Sequence, residues 1–249
     1  MASYDLLLYQ LEKLVASPDN YYRPAQAEAL GSASHLIALT RHYNGHIRQR
    51  AVLCLGSMDE VSALPALIER VNDWAEPVRR AAKQSVRLLL TPNNTASFVA
   101  NLPAIFWLLQ CQREDHQPLV DEIVSFLSEE AHAPSLFAGL CSEDKTVARL
   151  SLDILAERER FPLKQIFEQA MLHHDPLVRT NAARYLLSAD KDVDHDVLTI
   201  LLEDSFAPIK QVALQYVIDN AFPVSESQLI ALLFDKNALV RQRASALLR

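Results

Sequence analysis

Only 4 of the 249 residues are glycine. Phosphate-cradling loops and parallel-sheet enzymes use glycine for tight turns and close backbone approach, so the scarcity counts against both. Basic residues are outnumbered: 24 Lys and Arg stand against 31 Asp and Glu, a net charge of −7. Proteins that grip phosphate backbones draw much of their affinity from clustered Lys and Arg, so no nucleic-acid partner is expected. No apolar run approaches the roughly 20 residues that span a bilayer. The opening stretch, MASYDLLLYQLEKLVAS, is broken by Asp5, Gln10, Glu12 and Lys13 and has no basic start. It reads as an amphipathic helix rather than a signal peptide. No membrane partner is expected, and the compartment expected is the cytoplasm. Cysteine is sparse and odd in number: Cys54, Cys111 and Cys141, with no CxxC. These read as reduced, buried thiols of a cytosolic protein.

Catalytic and metal-binding signatures are missing as well. The 8 histidines form no HExxH and no zinc-finger spacing. His42 and His46 straddle an Asn44-Gly45 turn, which weakens an i,i+4 metal pair. No GxSxG is present. The reading is therefore no metal, no cofactor and no convergent catalytic set.

What the chain does have is leucine, alanine and a repeat. Half of it is hydrophobic, ample for a core, and the composition favours helix. Segments starting at Ile47 (IRQRAVLCL), Val78 (VRRAAKQSV), Val147 (VARLSLDIL), Val178 (VRTNAARYL), Ile209 (IKQVALQYV) and Val240 (VRQRASALL) align. Each has a β-branched leader, a small residue four later and an aliphatic residue eight later, which share one helical face. The residue after the leader is basic in five of these six segments. Weaker copies start at Tyr22, with Arg23 in register, and at Leu119. The last four intervals between starts are 28, 31, 31 and 31 residues. An apolar helical stretch precedes each copy, separated by turn signals such as Glu76-Pro77, Asp175-Pro176 and Ala207-Pro208. Proline is tolerated in a helix's first turn, and aspartate caps its free N–H groups. Each unit is thus a helix–turn–helix that cannot cover its own apolar face but can do so by stacking.

The V-R-x-x-A-x-x-x-L pattern resembles HEAT repeats, specifically the short HEAT-like repeats of bilin lyases. The expected fold is all-α: a right-handed α-solenoid of about eight stacked two-helix HEAT-like repeats. It is expected to run through residues 1–249 as one domain, with an enlarged irregular repeat around 91–115. The resemblance implies that the second helix of each pair lines a concave surface. It implies no single activity, because such repeats serve adaptors, assembly factors, regulators and some enzymes.

The register nominates side chains. Arg23, Arg48, Arg79, Arg179 and Arg241 form either a basic stripe for an acidic ligand or, as favoured here, a structural ladder. In the ladder each pairs with carbonyls or with turn acids such as Asp144, Asp175, Asp204 or Asp235. Positions two and six past each leader should face the concave side: Gln49, Arg80, Gln84, Arg149, Arg184, Gln211, Gln215 and Gln242 are the candidate partner-binding residues. Pro24, Glu28, Asp121 and Asp153 share that face, whose arginines and acids balance. A neutral surface rich in Gln and Arg suits a protein better than a phosphate backbone. In the irregular segment, adjacent Phe106 and Trp107 point about 100° apart on a helix. They are either an aromatic anchor for a partner or extra core on a longer helix.

The leading function is a non-enzymatic scaffold or adaptor that binds a partner protein on its concave face. The alternative is an enzyme on the same scaffold, resembling a bilin lyase or an alkylpurine DNA glycosylase. Leu239, Ala246 and Leu247 leave the last helix with an apolar flank, so a contact through the C-terminal helix is also expected.

Overall fold

The computed structural model describes residues 3–17, 31–158, 160–189 and 193–249. The copy led by Tyr22, with Arg23, Pro24 and Glu28, lies outside the described residues. Among those described there are sixteen α-helices and no strand. The chain divides into two compact units, Met1–Gly139 and Leu140–Arg249.

The first unit holds α1 (Tyr4–Val15), α2 (Ala33–Leu39), α3 (Gly45–Ser57), α4 (Leu64–Val71), α5 (Glu76–Leu89), α6 (Thr95–Ala100), α7 (Leu102–Trp107) and α8 (Gln117–Leu127). Helix α9 (Ala133–Leu140) runs to the division. Helix α2 packs on α3 and α4 on α5, while α3 and α5 lie side by side. The second unit holds α10 (Lys145–Glu157), α11 (Leu163–Met171), α12 (Pro176–Ala189), α13 (His195–Glu203), α14 (Ala207–Asn220), α15 (Glu226–Leu232) and α16 (Ala238–Leu247). The pairs α11/α12, α13/α14 and α15/α16 form, and α10, α12, α14 and α16 stack in that order. Each unit is a run of helix pairs, as the repeat requires.

The repeat pattern is the core. The leaders Ile47, Val78, Leu119, Val147, Val178, Ile209 and Val240 are buried, as are Ala51, Ala82, Ser151, Ala182, Ala213 and Ala244 four residues later. A small side chain at that point lets neighbouring helices approach. Between α3 and α5 the approach is close enough that a Cβ on Gly56 would collide with Ser85. Helix starts follow the turn chemistry: Asn44, Asp144 and Asn237 cap α3, α10 and α16 with side-chain oxygens, and Pro77 and Pro208 sit in the first turns of α5 and α14. The three cysteines differ from expectation. Cys54 is buried, its thiol pushed up to about 11 by burial, but Cys111 is only partly covered and Cys141 is exposed. Cys141 stands in the turn before α10, a place the repeat does not bury.

Helix α14 ends on Ala221, whose φ of 49° and ψ of 38° are left-handed. A Cβ is crowded in that region, and glycine is the residue that fits it without strain. Ala221→Gly should therefore stabilise the chain by about 1 kcal/mol, read as a raised urea midpoint; a lowered midpoint would contradict the assignment of strain.

The ladder forms, and it has a rule. The base one past a leader reaches two places. Its Nη1 donates to the carbonyls five and four residues before its own leader: Arg48 to His42 (2.8 Å) and Tyr43 (2.9 Å), Arg79 to Asp73 (3.0 Å) and Trp74 (3.2 Å), Arg179 to His173 (2.8 Å) and His174 (3.2 Å), Arg241 to Asp235 (2.8 Å) and Lys236 (3.0 Å). The remaining donors meet the acid five residues before the next leader. Arg48 forks onto Asp73 at 2.9 and 2.8 Å, Arg79 reaches Glu114 at 2.9 Å, Arg179 forks onto Asp204 at 2.8 and 3.1 Å, and Lys210 reaches Asp235 at 2.6 Å. The acid's other task is local: Asp73, Asp204 and Asp235 each accept the N–H two residues on, at 2.9, 2.7 and 2.7 Å. Burial raises the Asp73 and Asp204 carboxyls, but the guanidinium hydrogen bonds, the backbone N–H and the nearby positive charges together outweigh it and hold both below the usual range. Where the leader is followed by Val120 or Ala148 instead of a base, Ser142 or His173 stands in place of the acid. In these two repeats base and acid are missing together, whereas the copy led by Tyr22 has its base, Arg23, and a histidine in the acid's place.

Histidine replaces the acid at His42 too, its Nδ1 accepting the Asn44 N–H at 3.0 Å. Burial and the nearby Arg48 lower its pKa; burial and Lys83 do the same for His116. An unfolded histidine titrates near about 6.5. Between that value and the lower folded values the native state binds fewer protons, so stability falls as pH drops below about 6.5 and is unaffected above it. The urea midpoint should hold steady between about pH 7 and pH 8 and decline towards about pH 5.5. His42→Asn, whose Oδ1 can still accept the Asn44 N–H, should shrink the decline; an undiminished decline would remove His42 from the account.

Candidate interaction site on the second helices

The outward faces of the second helices carry the nominated side chains, and the structure separates them by how much each is already engaged. Arg80 and Gln84 on α5 are exposed; Arg80 holds only its own-helix neighbour Glu76, at 2.6 Å. Gln49 on α3 is half-buried. On α14, Gln211 is half-buried and bonds Asn237 at 3.2 Å, while exposed Gln215 bonds Asp219 on its own helix at 2.7 Å. Gln242 on α16 is exposed. Arg184 on α12 is exposed and has no carboxylate within ion-pair distance among the described residues.

Arg149 is different. The residue after its leader is Ala148, so the ladder position is empty there, and Arg149 reaches Asp175 at 2.8 Å instead. Asp175 is buried and accepts the Leu177 N–H at 3.0 Å. Arg149 is thereby part of the scaffold. The helical register places it on the outward face, but the missing base beside it draws its guanidinium back to the turn.

Phe106 and Trp107 do not sit within one long helix. The segment breaks into α6, α7 and a 3-10 turn at Leu108–Gln110. Leu102, Ile105 and Leu108 fill the core; Phe106 is half-buried and Trp107 is 50% exposed at the end of α7. The pair adds little core, and Trp107 is accessible. Trp74 (68% exposed) and Tyr43 (58% exposed) are also accessible, each four residues before a leader, with Arg48 lying 5.0 Å from the Trp74 ring.

One feature of the face was missed by the register. Between α10 and α12 lies an open recess of about 450 Å³ lined by Asp153, Asn181, Arg184, Tyr185 and Ser188. Asn181, Arg184, Tyr185 and Ser188 are spaced three, one and three apart and so share one side of α12. Tyr185 Oη donates to Asp153 Oδ1 at 3.0 Å, and Glu157 Oε1 lies 3.5 Å from the same oxygen. Burial raises the Asp153 carboxyl, the Tyr185 hydrogen bond offsets part of this, and Glu157 adds to the rise. Burial and the two carboxylates push the Tyr185 phenol up. The arrangement offers a carboxylate pair, a phenol, an amide and a guanidinium. It holds no nucleophile beside a base. Among the described residues no three His, Cys, Asp or Glu side chains gather as a metal site, and no helix is long and apolar enough to cross a membrane.

Residues 7–87 match the family model of HEAT repeats. No curated protein matches the chain. Among solved structures it is similar to an engineered protein (16% identity, covering 97% of this chain and 77% of that one, TM-score 0.34). It is also similar to the complex of CpcE and CpcF of phycocyanin lyase from Nostoc sp. PCC7120 (16%, 93% and 97%, TM-score 0.30). A designed armadillo repeat protein is a further likeness (15%, 97% and 98%, TM-score 0.23).

Proposed function

We propose that this chain is a protein-interaction module that takes its partner on the outward faces of the second helices. The observation that carries the reading is the division of labour among its polar groups. Ladder bases and turn acids are engaged with one another, and Arg80, Gln84, Arg184, Gln215 and Gln242 are left in solvent. Side chains held only by neighbours on their own helix exchange those bonds for a partner's at small cost, and Arg is favoured in such surfaces. The near-balance of charge on the face and the net −7 of the chain favour a protein over a phosphate backbone.

Photo-crosslinking from residue 84 or 215, followed by mass spectrometry, identifies the partner. The double variant Arg80→Glu/Gln84→Glu should then weaken its binding at least about tenfold, equivalent to about 1.4 kcal/mol. Folding stability should change by no more than about 0.5 kcal/mol per site, because both residues are exposed. Binding that ignores both substitutions but is abolished by Trp107→Ala would transfer the interface to the irregular segment and overturn the reading.

A further inference from the structure

We infer that the recess between α10 and α12 is a subsite for an arginine side chain carried by the partner protein. The inference rests on the proposed use of the second-helix face for protein binding, and it assigns the chemistry of one place on that face.

Carboxylates withdrawn from water are held by bases at several places in this protein. Asp73 has Arg48 and Arg70, Asp175 has Arg149, Asp204 has Arg179, and Asp235 has Lys210. Asp153 breaks the pattern. It is half-buried, its hydrogen-bond partner is the neutral phenol of Tyr185, and its neighbour across that phenol is a second carboxylate, Glu157. Among the described residues neither has a base within 4.0 Å. Asp153 thus leaves a negative potential in a partly shielded recess, reinforced by exposed Glu157 at the same phenol and opposed by no base within 4.0 Å among the described residues, and a charge-assisted hydrogen bond is worth more there than on an open surface.

The remaining wall selects the kind of cation. A planar guanidinium can fork onto Asp153 and also lie against an aromatic ring, here Tyr185; a compact ammonium cannot do both as well. Asn181 lines the recess, and its amide has no hydrogen bond among the described residues. It is placed to take a backbone N–H or C=O of the segment that carries the arginine. Arg184, on the same wall and without a carboxylate of its own, repels a second base. The segment that fits therefore has one arginine flanked by neutral or acidic residues, and a run of basic residues is disfavoured.

The test uses the full chain and Nα-acetyl-arginine amide as probe, followed by the NMR signals of Asn181, Tyr185 and Ser188. Saturable shifts at these residues are expected. Nα-acetyl-citrulline amide, which has the same shape without the charge, should bind at least about tenfold more weakly. Asp153→Asn, whose Oδ1 can still accept the Tyr185 hydroxyl, should weaken the arginine probe by a similar factor and leave the Ala182 and Leu186 core signals in place. Absence of saturable shifts, equal binding of the citrulline or Nα-acetyl-lysine probe, or indifference to Asp153→Asn would each overturn the subsite. These outcomes are separable from the fate of the wider proposal. The arginine probe reports on the recess alone, whereas partner binding by Arg80→Glu/Gln84→Glu, on α5 and outside the recess, reports on the face.

Discussion

Asp73→Ala should cost about 3–5 kcal/mol, the range for breaking a buried ion pair by removing one partner. Asp73 performs three tasks from a side chain with no solvent exposure. It accepts the fork of Arg48, whose side chain is 3% exposed, accepts a bond from Arg70, and accepts the Ala75 N–H that starts the turn into α5. Alanine leaves the Arg48 guanidinium in place, because Nη1 is still tied to the carbonyls of His42 and Tyr43. Its Nε and Nη2 then lie in a site that water cannot reach, and the Ala75 N–H loses its acceptor. Both penalties fall on the folded state. Asp73→Asn keeps the Ala75 bond through Oδ1 and should cost less. The comparison that gives the number meaning is Arg87→Ala. Its ion pair with Glu122 has side chains 46% and 42% exposed, and exposed pairs contribute about 0–1 kcal/mol. Urea unfolding of the three variants should rank Asp73→Ala far below the other two. A loss no larger than that of Arg87→Ala would mean that the ladder is ornament and that apolar contacts alone fix the stacking.

The same residue shows how much the sequence discloses. That Arg48, Arg79 and Arg179 belong to a ladder is legible from their spacing behind the leaders. Which acids receive them is less so, because aspartates three and five residues before a leader look alike on the page. Asp204 and Asp235 are ladder acids; Asp144, at the other spacing, instead caps α10 by accepting the Thr146 and Val147 N–H groups. Asp175, at the same spacing as Asp144, does both: it receives the off-register Arg149 and accepts the Leu177 N–H at the start of its own helix. Asp73 and Glu114 take the ladder role although the turn signals that draw the eye, Glu76-Pro77 and the capping Asp115 with Pro118, lie one to four residues further on. Arg149 fails as a free surface residue for a related reason: its fate depends on Ala148 next to it and on Asp175 26 residues later. The recess at Asp153 and Tyr185 depends on the spacing between α10 and α12, a distance that no single-helix pattern encodes, although the grouping of Asn181, Arg184, Tyr185 and Ser188 on one side of α12 is a signal that could have drawn attention to it. The core is the most legible part because period and burial are the same fact: the leader and the residues four and eight later must share a face.

Gly56→Ala should destabilise the chain by about 1–3 kcal/mol, although alanine is the better helix former by about 1 kcal/mol. The sign is decided by what the new methyl meets. Gly56 is buried in the last turn of α3, and an added Cβ would lie 2.4 Å from Ser85 Oγ, 2.6 Å from Ser85 Cβ and 2.9 Å from Ser85 Cα. A flexible side-chain end could swing aside, but a Cβ and a backbone Cα cannot, and Ser85 Oγ is itself held by its bond to the Val52 carbonyl at 3.0 Å. The only relief is for α5 to move away from α3. That would loosen the packing of α3 against α5, in which Ala51, Val52 and Leu55 on one helix and Ala82, Val86 and Leu89 on the other are all buried. The rescue experiment follows from the same distances. Ser85→Ala removes Oγ but leaves Cβ and Cα in the way, so Gly56→Ala/Ser85→Ala should recover little. Gly56→Ala/Ser85→Gly removes both side-chain atoms and should recover more of the loss, less the cost of about 1 kcal/mol for glycine in a helix. Equal recovery from Ser85→Ala and Ser85→Gly, measured by urea denaturation, would show that the hydroxyl alone is the obstacle and that the two backbones are not in contact-limited approach.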